Sequence, residues 1–320
     1  MRLFKRSFFV ILSLIVIFAL FIFVWCNLPK KEVNLSNFPQ DKNFIFLKLE
    51  LKKDSFSLLD EVVNFKFAGN FLIDSFARRL FIKSAGRFFS PLTIIILVDS
   101  SSIEDAKFEY TILVKSKRFS RFLEIPLFLH KATTSFNKDY ELSQDGNWLI
   151  YETTKNSNLN SFTKHGDVCL VASAKDRIKE LVEAFSSERD KFPSFLKDSY
   201  NKPFFLYVND EKRMLNFYLE EAKEKTYCDF FPRGDNLNEI LIHLEKANSD
   251  SEKANTGQMI FVFEKDADFK GAMKDIRLFS QVLRRIFEAN FYTFNYKLNI
   301  IKNCIIMSFN LEKMLISEKK

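Results

Sequence analysis

The sequence predicts an α+β protein in which an N-terminal transmembrane helix is followed by a mainly antiparallel-sheet ectodomain of two similar α+β halves. The chain opens with a long, nearly unbroken apolar run. Many later segments alternate apolar and polar residues with the period of two that is typical of strands. Other segments space apolar residues three and four apart, as amphipathic helices do. These strands and helices follow one another in a similar order twice, and this repetition predicts the two halves.

The apolar run covers residues 8–25, FFVILSLIVIFALFIFVW, and only Ser13 interrupts it. A helix needs roughly 20 such residues to cross the hydrocarbon of a bilayer. A cleavable secretory signal has a shorter core of about 7 to 15 residues, followed by small residues at the cleavage site. The bulky sequence VWCN at 24–27 lacks that site. The pattern therefore predicts an uncleaved signal-anchor helix at 7–26.

The charges around this helix predict its orientation. Before the helix stand three basic residues and no acidic one, namely Arg2, Lys5 and Arg6. The positive-inside rule then predicts that residues 1–6 are cytoplasmic. The prediction is a single-pass protein of the bacterial inner membrane with a periplasmic C-terminal domain. Residues 27–42, which contain two prolines, are predicted to form a linker.

The composition excludes some classes of protein. The chain has 48 basic and 41 acidic residues and a net charge of +7, and the two signs alternate along the sequence. Nucleic-acid binders instead cluster cations on one face, so no nucleic-acid partner is predicted. The 7 glycines are too dispersed to form a phosphate-binding loop, and no cofactor is predicted. The 39 phenylalanines fit an AT-rich coding genome as well as any structural demand.

The first α+β unit is predicted at 43–190. An alternating strand is expected at 44–51, and mixed strand and helix signals fill 58–81. Two strands are expected at 92–98 and 108–116. They precede an amphipathic helix at 117–129, which Pro126 is expected to kink or end.

The rest of this unit is predicted to be a hairpin, a strand and a helix. Asp145-Gly146 between two alternating runs is a strong hairpin signal, because glycine readily adopts the positive φ of a tight turn. The segment DVCLVASAKDRIKELVEAFSS at 167–187 follows as a strand and a helix. Ser173 is the expected N-cap of that helix.

The second unit is predicted at 191–320, in a similar order. A strand is expected at 204–208 and a helix at 214–225. Two further strands then precede a long helix at 268–289, and a hairpin closes the chain.

The segment VCLVASAKDRIKELVEAF at 168–185 resembles a recurrent phrase in a bacterial family of membrane-anchored extracytoplasmic proteins of unknown function. In that family a strand, an Ala-Ser-Ser, a lysine and a helix end each unit. The resemblance extends to the hairpin at Asp145-Gly146, the strands at 92–98 and 108–114, and FFLYVNDEKRMLNFYL at 204–219. It implies a one-helix anchor and a duplicated α+β ectodomain without an established activity.

The cysteines do not have the spacing of a metal site or a redox centre. Cys169 and Cys304 lie in apolar strand-like runs and are expected to be buried free thiols, with a disulfide among Cys169, Cys228 and Cys304 as the alternative. Cys26 is expected to be a thiol at the membrane interface. Its lipidation is disfavoured by the bulky Trp25 before it.

No catalytic, cofactor-binding or metal-binding residue is predicted. His130, His165 and His243 each stand alone. Asp99-Ser100-Ser101-Ser102 after a strand suggests a cation site, but Ile103 replaces the hydroxyl that such a motif requires. A polar loop is the favoured interpretation of this string. The paired acids Glu220-Glu221 and Asp266 with Asp268 are read as exposed charges.

The helix at 269–287 has a broad apolar face and a basic one. The cations are Lys270, Lys274, Arg277, Arg284 and Arg285. A core helix with a solvated basic side is the favoured interpretation, and contact with an anionic membrane surface or an acidic partner is the alternative.

The sequence therefore predicts a membrane-anchored envelope protein that binds or supports another envelope protein and is not an enzyme. One alternative is an envelope hydrolase whose site brings His165 and Asp167 to a serine or cysteine. The other is a lipid or lipoprotein carrier, which requires a continuous apolar cavity of several hundred Å³.

Overall fold

The computed structural model describes residues 2–28, 32–33, 43–52, 88–99, 109–131, 140–145, 148–153, 161–174, 176–186, 202–209, 237–246, 254–265, 267, 269–289 and 292–313. The mixed segment expected at 58–81, the helix expected at 214–225 and the three serines after Asp99 lie outside these ranges.

The described part of the chain contains helices and strands, and most of their bounds agree with the periodicity of the sequence. The helices are α1 (Arg2–Asn27), α2 (Lys117–Lys131), α3 (Arg177–Ser186) and α4 (Phe269–Ala289). The first seven strands are β1 (Asn43–Leu51), β2 (Leu92–Asp99), β3 (Glu109–Lys115), β4 (Tyr140–Asp145), β5 (Trp148–Thr153), β6 (Ser161–His165) and β7 (Val168–Ala172). The remaining strands are β8 (Phe204–Asn209), β9 (Leu237–Lys246), β10 (Ala254–Phe263), β11 (Tyr292–Ile301) and β12 (Cys304–Lys313).

All the described strands belong to one sheet of 12 strands. Its order is β11-β12-β10-β9-β8-β1-β2-β3-β7-β6-β5-β4, and each neighbouring pair is antiparallel. The predicted α+β class with a mainly antiparallel sheet is therefore confirmed. Among the described residues, no helix is both long and apolar enough to cross a membrane.

The middle of the sheet is the antiparallel pair β1 and β8, in which Leu47 lies opposite Leu206. The strand order is the same on both sides of this pair. It runs β1-β2-β3-β7-β6 in one direction and β8-β9-β10-β12-β11 in the other. In each direction a helix follows the third strand along the chain, α2 after β3 and α4 after β10. The hairpin β4–β5 extends the first side only.

Two hydrophobic cores lie on opposite faces of the sheet. The core under α3 includes Ile178 and Leu181 of that helix together with Leu241 of β9. The core under α4 includes Ile276 and the β9 residue Ile240. Because consecutive residues of a strand point to opposite faces, α3 and α4 cover different sides.

Gly257 of β10 leaves room for the side chain of Phe309 in the core under α4. A Cβ there would lie 2.5 Å from Cζ of Phe309 and 2.6 Å from the backbone oxygen of His243.

The hairpin predicted at Asp145-Gly146 is confirmed, because Asp145 of β4 pairs with Trp148 of β5. A second two-residue hairpin joins β6 to β7 at Gly166-Asp167, and Gly166 has a φ of 54°. Strand β6 was not predicted, since its sequence SFTKH is short and mostly polar. Thr163 of β6 is nevertheless buried.

Two local details differ from the prediction. Of the two effects expected of Pro126, a kink or an end of the helix, the end is wrong, because α2 continues to Lys131. Proline lacks the backbone N–H that would donate a hydrogen bond inside the helix. Tertiary packing routinely outweighs local helix propensity, and here it compensates for the missing hydrogen bond. Ser173 is not the N-cap of α3, which begins at Arg177. Instead its hydroxyl accepts a hydrogen bond from the backbone N–H of Tyr110 at 2.9 Å and extends the pairing of β3 with β7.

Candidate functional site

The end of α1 is attached to the folded domain through α2. Arg118 Nε donates a 2.9 Å hydrogen bond to Oδ1 of Asn27. The guanidinium of Arg121 lies over the ring of Trp25, 5.3 Å from its centroid. Cys26 between these two contacts is completely buried. We call these five residues the junction. Cations beside a helix C-terminus also interact favourably with its dipole.

Serine hydroxyls fix the first turns of α2 in place. Ser116 Oγ caps the helix by accepting from the N–H of Phe119, and it donates to the carbonyl of Phe89 at 2.8 Å. One turn later, Ser120 Oγ donates to the carbonyl of Gly166 at 2.8 Å. Both serines are buried. The junction therefore rests on a part of α2 that is bonded to the β6–β7 turn.

Glu124 ties the junction to the sheet. Its carboxylate accepts from Arg121 at 3.1 Å and from Lys164 of β6 at 2.6 Å. Lys164 points to the face opposite Thr163, because neighbours in a strand alternate. Arg121 is thus held by a carboxylate on one side and by the indole of Trp25 on the other.

The chain just after α1 is also held against the domain. The N–H of Val33 donates to Oδ1 of Asp167 at 2.9 Å, and Lys115 Nζ donates to the carbonyl of Val33 at 2.7 Å. Lys117 forms an ion pair with Glu32. This hydrogen-bonded pair lowers the pKa of Glu32 and raises that of Lys117. Within the predicted linker, residues 32–33 thus pack on the end of β3 and the β6–β7 turn.

The aspartate considered for a cation site has another role. Arg177 contacts Asp99 at 3.0 Å and 2.8 Å, and both side chains are buried. Arg177 also contacts Glu180 at 2.7 Å. The carboxylate therefore fixes the start of α3 to the end of β2. Among the described residues, no group of three or more acidic, histidine or cysteine side chains is placed to hold a metal ion.

The residues considered for a hydrolase take part in other contacts. The ring of His165 lies against Trp148, with the centroids 4.8 Å apart. Asp167 accepts the Val33 N–H, as described above, and the buried hydroxyls of Ser116 and Ser120 donate to carbonyls. His243 is buried on β9, and His130 lies in α2.

Cys26, Cys169 and Cys304 are free thiols, whereas Cys228 lies outside the described residues. The prediction of a buried free thiol is confirmed for Cys169. Cys304 is free but only partly buried, and burial raises its pKa.

The second candidate surface is a groove along the first half of α4. Three cations with helical spacing stand on its exposed side, Lys270, Lys274 and Arg277. Apolar side chains of α4 and Ile300 of β11 complete an open groove of about 490 Å³. Among the described residues, the lining is Phe269, Lys270, Met273, Lys274, Arg277, Leu278, Gln281 and Ile300, and none of these is acidic. We call this surface the basic groove.

Only part of the basic face predicted for this helix lines the groove. Arg284 pairs with Glu288 at 3.0 Å, and Arg285 is exposed further along α4. The apolar face packs on the sheet as predicted, with Ile276 fully buried. Sequence reasoning missed the groove itself, because Ile300 comes from a different element. Its alternating strand pattern was the only signal of its position.

Comparison with models of protein families finds no match to this chain. No curated protein matches it. No solved structure matches it either.

Proposed function

We propose that this chain is a single-pass membrane protein in which α1 crosses the bacterial inner membrane and residues 27–320 form a periplasmic domain. The observation that carries this proposal is the exposure of α1. Its large apolar side chains are between 50% and 62% exposed at Leu14, Val16, Ile17, Phe18, Leu20, Phe21, Phe23 and Val24. Fully burying one such side chain is worth about 1.5 to 3 kcal/mol, so leaving half or more of it in water costs about 1 to 2 kcal/mol, and a lipid surround would remove this cost.

We further propose that the domain consists of two similar α+β units, within 43–190 and 191–320. The matching strand orders on either side of the β1–β8 pair support this division. The position of one helix after the third strand on each side also supports it. Such an arrangement is expected when a unit is duplicated and the first strands of the two copies, here β1 and β8, pair with each other.

The proposed role is the binding or support of another envelope protein, without catalysis. Asp99, Asp167, Ser116 and Ser120 all hold elements of the fold together. The basic groove is open and carries three cations, which differs from the continuous apolar cavity expected of a lipid carrier. The attachment of α1 to α2 would present the domain in a fixed orientation to a partner at the membrane.

Membrane extraction tests the anchor. Membranes from cells that express the full chain are washed with alkaline carbonate, and the chain is expected to stay in the pellet. A matched variant, Ile17→Lys with Leu20→Lys, places two charges in α1 and is expected to shift the chain to the supernatant. Protease added to spheroplasts is expected to digest residues 27–320. Recovery of the unaltered chain in the soluble fraction would contradict the proposal.

Crosslinking in intact cells tests the binding role. The full chain is compared with residues 30–320 exported without α1, and captured proteins are identified by mass spectrometry. One specific envelope protein held by both forms supports a binding domain. Recovery of the chain alone in both forms would argue against it.

A further inference from the structure

Among the strands that the structure describes, β11 is the outermost on its side of the sheet. It ends the strand order and pairs with β12 over its full ten residues, Tyr292–Ile301, without a register shift. Proteins usually protect such edges with proline, bulges, short strands or several charges. β11 has no proline and no bulge in this pairing, and its only charged residue is Lys297. A regular edge of this length is a template for a further strand.

The basic groove lies directly beside this edge. Ile300 belongs both to the edge strand and to the groove lining, and the rest of the lining comes from α4. A strand added about 4.8 Å beyond β11 would run beneath the first half of α4. Because strand side chains alternate between faces, every second side chain of that strand would enter the groove. The groove spans α4 from Phe269 to Gln281, or about 18 Å at the helical rise, which matches about five or six strand residues.

The charges specify what kind of strand fits. The lining combines three cations with apolar side chains. Lys297 of the edge strand lies on the opposite face of the sheet from Ile300, so the charge of the groove comes from α4. A complementary strand therefore carries acidic and apolar side chains in turn on its inward face. A second copy of β11 carries no acidic residue, so it does not supply this complementary charge.

We propose that an extended acidic segment of an envelope partner adds as a strand to β11 and inserts its acidic and apolar side chains into the basic groove. The backbone hydrogen bonds of the edge supply affinity, and the groove supplies specificity. This inference rests on the proposed binding role and names the chemistry of the partner.

The test uses the full chain in phosphatidylcholine nanodiscs and a fluorescein-labelled peptide, Leu-Thr-Glu-Thr repeated twice, with anisotropy as the readout. Binding of this peptide is expected. The same peptide with Lys in place of Glu is expected to bind at least about tenfold more weakly. A version with alternate amides N-methylated keeps the side chains but blocks strand pairing, and its binding is expected to be lost.

Variants of the chain locate the site. Lys274→Glu with Arg277→Glu is expected to weaken binding of the acidic peptide about tenfold or more. The matched control, Arg285→Glu, lies on the same helix outside the groove and is expected to change binding less than about twofold. Equal binding by the double variant would overturn the inference, as would undiminished binding of the N-methylated peptide.

Other occupants give distinct results. Loss of peptide binding when phosphatidylglycerol replaces phosphatidylcholine would overturn the inference in favour of a lipid surface. Self-association of the chain that disappears in the Lys274→Glu, Arg277→Glu variant would overturn it in favour of a second copy. The carbonate extraction is scored separately, so failure of the anchor and failure of the groove are distinguishable.

Discussion

Replacing Arg118 and Arg121 with glutamine is expected to release the end of α1 from α2 and expose Cys26. The hydrogen bond from Arg118 to Asn27 contributes about 0.5 to 1.5 kcal/mol. The contact of Arg121 with the Trp25 ring contributes about 0.5 to 1 kcal/mol at a partly exposed site. The pair of substitutions thus removes about 1 to 2.5 kcal/mol of docking energy. At about 1.4 kcal/mol per factor of ten, the undocked population rises roughly 5- to 60-fold.

The measurement is the rate at which a water-soluble maleimide labels Cys26 in the full chain, after Cys169, Cys228 and Cys304 have been replaced by alanine. Cys26 is completely buried in the docked state, so labelling reports undocking. We expect slow labelling of the parent chain and labelling faster by about tenfold in the double variant.

Arg284→Gln is the matched control, because it removes an exposed ion pair with Glu288 on a helix far from the junction in the strand order. Its labelling rate should equal that of the parent chain. Rapid labelling of Cys26 in the parent chain would refute the docked junction. Identical rates in the parent chain and the double variant would refute the role of the two arginines.

Three further predictions concern stability, measured by urea unfolding of the full chain. Asp99→Ala leaves Arg177 buried without its main partner and is expected to lower the free energy of unfolding by about 3 to 5 kcal/mol; a loss below about 1 kcal/mol would show that the pair is solvated. Gly257→Ala is expected to cost about 1 to 3 kcal/mol, because the new Cβ meets Phe309, and an unchanged midpoint would contradict this packing. Burial lowers the pKa of Lys48 in the folded chain. Between that pKa and the ordinary lysine value of about 10.4, the unfolded chain binds more protons than the folded chain. The free energy of unfolding therefore rises with pH in this window. Lys48→Met is expected to flatten this rise between pH 7 and 10, and a rise of the same slope in that variant would assign it to another group.

Elements whose signal is local could be predicted from the sequence. The alternation in FIFLKLEL, for example, gives β1 because the period of two recurs within eight residues. Helix α4 and the closing hairpin of β11 and β12 follow from similarly long and regular patterns. The hairpin at Asp145 follows from the turn preference of two residues.

Elements that depend on distant contacts could not be predicted. Strand β6 is mostly polar, and pairing with β5 and β7 creates it. Helix α2 continues past Pro126, where the local signal predicts a kink or an end of the helix. Ser173 resembles a helix cap, but its hydroxyl bonds to Tyr110, 63 residues away.

The sequence by itself determined the class of the fold, the position of the apolar helix and the basic side of α4, because each depends on a pattern among residues that are only a few positions apart. Only the tertiary structure decided that β1 pairs with β8 and that Asp99 pairs with Arg177. It also decided that Ile300 completes the basic groove. These contacts join residues that are far apart in the chain. They form because the folded structure buries apolar side chains and pairs opposite charges, and no local periodicity in the sequence predicts them.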